Sequence, residues 1–202
     1  MIRNIVRFLV VLGLACVAMG GGVAVLFAVF KGDLERRDNQ EKEAAIREAC
    51  PPGATVDLEH PLAGKPFAPD AVYAARGPDG RPAAYIAGGE APGYSSAVKV
   101  VAAARPPEFA VLKVVVVSQR ETPGLGSRIA EARSTLTLWG KLFGSAEAEQ
   151  LLNPFLDQFV GKTADKFGEV HAITAATISS SAAKRAAAQA LDRIRQAAPS
   201  SP

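Results

Sequence analysis

Residues 94–119 read YSSAVKVVAAARPPEFAVLKVVVVSQ. Two runs rich in β-branched and small apolar residues, 94–104 and 109–119, flank the breaker RPPE. A parallel pair needs a crossover of a dozen or more residues, so turn chemistry this short favours an antiparallel hairpin. The pattern recurs upstream, where AVYAAR (71–76) and PAAYIAGG (82–89) are separated by GPDGR, and EAPG leads into Tyr94. Successive β-rich runs with turns between them predict an antiparallel meander.

Downstream, SAEAEQLLNPFLDQFV (145–160) places Leu151, Leu152, Phe155, Leu156 and Phe159 at helical spacing. A helix with a core-facing stripe is expected there, with Asn153-Pro154 either early in it or breaking it. The last element, from about Ser180 to Ala198, carries Ala183, Ala187, Leu191, Ile194 and Ala198 on one face, with Lys184, Arg185, Asp192, Arg193 and Arg195 elsewhere. This is an amphipathic helix whose small residues let its backbone lie close to a sheet. The tail PSSP is expected to fray. No internal repeat is found.

Upstream of the meander, residues 8–30, FLVVLGLACVAMGGGVAVLFAVF, carry no charge and are long enough to cross a hydrocarbon core of about 30 Å as a helix. A cleaved signal peptide has a shorter apolar region, and a lipoprotein cysteine at Cys16 would not be followed by more apolar chain. Arg3 and Arg7 precede the run, which favours a cytoplasmic N-terminus and a domain on the periplasmic or outer side. Gly20, Gly21 and Gly22 permit close packing on a partner helix. Residues 31–49 then read as a charged helix, a stalk or the domain's first helix, stopped by CPPG (50–53).

The 202 residues, with formal charge +3, suit one domain of ordinary size plus accessories. No dense block of Lys and Arg marks a nucleic-acid footprint. Cys16 lies in the apolar run and Cys50 outside it, so no disulfide is implied, and His60 and His171 supply too few ligands for a metal site. The fold class is therefore α+β: a single N-terminal transmembrane helix and one soluble domain with a mainly antiparallel sheet and packing helices. The boundaries are 1–30 for the membrane segment, 31–53 for the charged helix, 54–198 for the domain and 199–202 for the tail.

Two loops invite chemistry. In RETPGLGSRI (120–129), Pro123, Gly124 and Gly126 make a tight turn with backbone amides uncovered by side chains, able to approach a planar ligand. A plain connecting turn with a solvated Glu121 is the alternative. In VHAITAATISSSA (170–182), Thr174, Thr177, Ser179, Ser180 and Ser181 gather just before the last helix. One serine would cap that helix, VHAIT could be a short final strand, and the helix start is a natural anion site that suits a phosphate.

Together these loops resemble the FMN-binding domain found in the G subunit of Rnf-type ferredoxin:NAD oxidoreductases and in the C subunit of sodium-translocating NADH:quinone reductases. The likeness runs from Tyr73 to Ala198. It rests on the unbroken ETPGLG (121–126), Gly93-Tyr94, DQFVGK (157–162), the Thr174-Ala175-Ala176-Thr177 motif ahead of a helix, and the single N-terminal span. The resemblance implies covalent FMN, joined through a phosphodiester bond to Thr177, with Thr174, Ala175, Ala176, Ile178 and Ser179 around it. It places Glu121, Thr122, Gly124, Leu125 and Gly126 near the isoalloxazine, with Tyr94 beside them. Lys162 would offset phosphate or flavin charge unless it is merely solvated. Two positions depart from the family: His171 stands where Asp is usual and Ala175 where Gly is usual, so this loop is expected to manage without a left-handed residue at 175.

The resemblance further implies an electron-relay subunit in the bacterial or archaeal inner membrane, matured by a flavin transferase and working with other membrane and redox subunits. Backbone amides of the TPGLG loop would stabilise reduced flavin, which Glu121 would oppose unless it hydrogen-bonds ring nitrogens. The chain has no nicotinamide fingerprint and no iron–sulfur cysteine set, so donor and acceptor must lie on partners. Its length and single span favour the Rnf-type setting. The alternatives are the flavin subunit of a sodium-translocating NADH:quinone reductase, another extracytoplasmic reductase, or a scaffold without flavin.

Overall fold

In a computed structural model, which describes residues 2–131, 133–134 and 151–198, the chain opens with one long helix, α1 (Ile2–Ala49). By contacts the chain divides into two units, Met1–Gln40 and Glu41–Pro202. In the first unit the apolar side chains of 8–30 are exposed on every face, and α1 is long and apolar enough to cross a membrane. That composition fits a single-pass anchor.

The second unit is built on a five-stranded sheet: β1 (Thr55–Val56), β2 (Val72–Arg76), β3 (Pro82–Pro92), β4 (Ala97–Arg105) and β5 (Ala110–Ser118). The strands pair antiparallel in sequence order, the expected meander. Because side chains alternate along a strand, β2 to β5 each feed two cores. Tyr73, Ala75, Ala84, Ile86, Val101, Ala103 and Val115 point to one face, covered by Ala45, Ile46 and Ala49 of α1. Tyr85, Ala87, Ala91, Val98, Val100, Ala102 and Val114 point to the other, covered by the last helix, α2 (Thr177–Ala197).

The expected helix over 145–160 is not what its described part forms; residues 145–150 lie outside the described residues. β6 (Arg133–Ser134) pairs with β7 (Leu151–Leu152), and Leu156–Phe159 is a short 3₁₀ turn. Asn153 explains the break. Its Oδ1 accepts the Phe155 and Leu156 amides at 3.1 and 3.0 Å, which satisfies the start of a new turn beside a proline with no amide to give. Phe155, Leu156 and Phe159 still enter the core, where Phe159 meets Phe155 and Phe167 edge to face.

α2 lies against β3 and β4, burying Ala182, Ala183, Ala186, Ala187, Ala190, Leu191 and Ile194. The approach is close because the contact is alanine on glycine: a Cβ at Gly89 would overlap the Ala186 carbonyl. Polar fasteners add direction. Arg185 donates to the Pro92 carbonyl, Arg193 to those of Pro69 and Gly88, and Gln189 accepts the Glu90 amide at 2.8 Å. α2 begins at Thr177, about three residues before the expected start, since Ala176 already accepts the Ser180 amide at 2.9 Å. This seating fixes where the helix begins relative to the β3–β4 turn. Gly89→Ala is therefore expected to destabilise the domain by about 3 kcal/mol, the upper range for overpacking, read as a lowered melting temperature by circular dichroism.

Candidate functional site

Three segments converge at the start of α2: the turn 93–96 between β3 and β4, the loop 120–126 after β5, and residues 175–179. The turn exists because β4 begins at Ala97 rather than at Tyr94, and Gly93 donates to the Ser96 carbonyl at 2.8 Å. Between the segments lies a cleft of about 550 Å³, lined by Tyr94, Glu121, Thr122, Leu125, Gly126 and 175–179. That size suits a cofactor-scale ligand, for which roughly 300–1,000 Å³ is usual.

Glu121 is not solvated. Its residue is 6% exposed, and its carboxylate accepts the amides of Tyr94 at 3.2 Å, Ser95 at 3.1 Å and Ser96 at 3.1 Å. The Ser179 hydroxyl donates to Oε2 at 2.6 Å. Burial alone pushes this carboxyl's pKa up, but the Ser179 hydroxyl and the Ser96, Ser95 and Tyr94 amides outweigh it and hold the pKa below the ordinary value. These bonds commit the carboxylate to the protein, so its contacts are with the two neighbouring segments.

Two glycines of the matched motifs follow from this carboxylate. A Cβ at Gly93 would come within 2.6 Å of Glu121 Oε1, and one at Gly126 within 2.6 Å of Ser179 Oγ. Gly124 has a different reason, a φ of +74. The loop amides are less open than the glycines suggest: Gly124 donates to Ser127 Oγ, and Leu125 and Ser127 donate to the Thr122 carbonyl. Stabilisation of a reduced ring by the Gly124 and Leu125 amides therefore has no support in this geometry.

The hydroxylated loop is pinned from both sides. Residues 171–173 form no strand; the Ile173 amide instead donates to Ser180 Oγ at 3.0 Å. Gln158, the second residue of DQFVGK and given no role by the sequence, accepts the His171 amide at 2.8 Å. Ala175 adopts φ +64, so the left-handed residue is present after all and alanine carries its strain. No serine caps α2: its N-cap is Ala176, without a side-chain cap bond, and Ser180 lies inside the helix. Thr177 stands exposed at the first helical position, facing the cleft. Thr174 lines a separate cleft of about 330 Å³ with Arg128, Gln158 and His171. Lys162 bonds Glu169 at 2.7 Å and does not line the Thr177 cleft.

The segment that builds this cleft, residues 93–192, matches the model of the FMN-binding domain. It is an FMN-binding domain. Among solved structures, the chain is similar to Shewanella oneidensis NqrC, at 17% identity over 75% of this chain and 73% of that one, with a TM-score of 0.45. No curated protein matches the chain.

The residues fit FMN. Tyr94, Leu125 and Ile178 are 71%, 44% and 53% exposed around the cleft and offer apolar surface to a ring. The uncapped first turn of α2 offers amides to a phosphate.

Two outcomes follow. Glu121→Gln puts an amide donor against the Tyr94 amide, and is expected to cost about 1–3 kcal/mol. With a folded pKa below the ordinary 4.5, the Glu121 contribution is full above pH 4.5 and is lost as pH falls through the folded value. Urea titrations across pH 3–7 should show the gap between the two proteins closing on the acid side. Ala175→Gly should instead stabilise by about 1 kcal/mol in the same titrations, by relieving the left-handed alanine.

Proposed function

We propose that this chain is the membrane-anchored, electron-relaying flavin subunit of an Rnf-type complex coupling ferredoxin:NAD⁺ oxidoreduction to ion translocation, with FMN esterified to Thr177. The observation that carries the reading is the placement of Thr177: an exposed hydroxyl at an uncapped helix start, in a cleft whose described lining contains no Lys or Arg.

Charge makes the covalent link reasonable. A phosphate monoester brings a charge of roughly −1.5 to −2 at neutral pH, and here it would meet helix amides but no cation, with the Glu121 carboxylate nearby. A diester carries one negative charge, which lessens the repulsion, and a bond cannot dissociate. Attachment requires an activated flavin nucleotide and a transferase. The Thr177 Oγ–phosphorus bond forms, the donor's phosphorus–oxygen bond breaks with its electron pair leaving on the departing group, and the hydroxyl proton is released.

When bound, FMN supplies the one- and two-electron chemistry that no side chain here offers. This chain's residues then have three tasks. The α2 amides hold the phosphate, Tyr94, Leu125 and Ile178 shield the ring from water, and Glu121 holds the segments together. Donor and acceptor belong to other membrane and redox subunits. The apolar run of α1 anchors the domain, with the N-terminus cytoplasmic and the domain periplasmic, where a lost nucleotide is not readily replaced.

The test is intact mass after co-expression with a flavin transferase, followed by peptide mapping across 170–184. The expected result is a gain of FMN less water on Thr177, abolished in Thr177→Val. A chain without that gain rejects covalent attachment, and a chain that also fails to retain FMN through gel filtration is a scaffold.

A further inference from the structure

The loop 170–182 holds more hydroxyls than one ester needs, and their positions sort them. Ser179 is 3% exposed and donates to Glu121. Ser180 is fully buried and accepts the Ile173 amide. Thr174 faces the other cleft, while Thr177 is exposed to the main one. Consecutive helical residues point about 100° apart, so bonds at both Ser179 and Ser180 fix the first turn of α2 in rotation as well as in height.

We infer that Glu121 is a positioning residue for flavin attachment: by binding Ser179 it sets the first turn of α2 so that Thr177, and not Ser179 or Ser180, presents the helix's exposed hydroxyl to the cleft. The inference rests on the proposed attachment, but its mechanical part does not. Glu121 reaches Ser179 from 58 positions away, and the same carboxylate gathers the 94–96 amides. A carboxylate accepts at all four of these sites, whereas a carboxamide must present a donor at one oxygen position. Gly93 and Gly126 leave the space that the bond needs. Ser179 is thereby withdrawn as a competing nucleophile, since its oxygen is buried and its proton committed.

The test uses the full-length chain in detergent, as wild type, Glu121→Gln, Ser179→Ala and the control Ser181→Ala. In unmodified protein, amide hydrogen exchange at 94–96 and 178–181 should quicken about ten-fold or more in the first two variants, with β3–β5 unchanged. With transferase and its flavin donor in excess, the initial rate of labelling at Thr177 should fall by about ten-fold or more in those variants, and residual label should spread to other hydroxyls of 174–181. Circular dichroism must show the folded content of wild type, and Ser181→Ala should label normally. Unchanged local exchange, or exchange raised evenly across the domain, overturns the positioning role, as does wild-type labelling in both variants. An unlabelled wild type overturns the attachment reading instead, while the exchange data still decide the positioning role.

Discussion

The site depends on one buried charge. A carboxylate out of water is costly unless its acceptor positions are filled, and Glu121 meets that condition only when three distant pieces of chain are together: the 93–96 turn, its own loop and the first turn of α2. Its satisfaction is therefore a statement about assembly. If any of the three moves away, the charge is left short of a partner, so the cleft is closed by the same bonds that make the burial tolerable. The glycines beside it are what close approach to a carboxylate requires.

The carboxylate could not do this if α2 were seated loosely. The sheet is covered on both faces, and the helix carrying Thr177 is held by alanines on Gly89, with Arg185, Gln189 and Arg193 fixing it to backbone groups of β3 and of the chain before β2. A helix packed through small side chains has little room to slide, because displacement meets backbone rather than flexible side chains. Rigid seating below and the Glu121–Ser179 bond above together place the helix start. The fold thus positions the loop that matters without relying on loop stiffness.

The sequence shows the hairpins well, since runs rich in β-branched and small apolar residues and Pro/Gly turns are local signals, and 71–119 needs nothing distant to be read. It shows less where a distant partner decides. Glu121 reads as solvated because nothing near it announces the 94–96 amides or Ser179. The run 145–160 has helical spacing, yet Asn153 offers its own oxygen to the Phe155 and Leu156 amides and starts a new turn. Ala175 reads as a residue that avoids positive φ, but the bonds of Ile173 and Ala176 impose that conformation on it. β1, two residues long, leaves no periodicity to find. The residues lining the Thr177 cleft, in contrast, stand mostly within ETPGLG and 174–179, because a tight glycine loop and a helix start are locally encoded.

The same geometry bears on why a bond rather than a pocket would hold the cofactor. The described lining of the cleft has no cation, Lys162 is engaged with Glu169, and the nearest fixed charge is the Glu121 carboxylate. The partial positive end of α2 is worth only about 0.3–1 kcal/mol toward an anion near the surface, and Glu121, bonded into that first turn, offsets part of it. A doubly charged phosphate held by those forces alone would exchange readily. Adding a basic side chain would strengthen the hold, but it would also draw on the carboxylate that clamps the loops. The proposed ester to Thr177 would avoid that conflict: it would lower the phosphate's charge, fix the flavin permanently, and leave Glu121 free for the structural task on which the cleft depends.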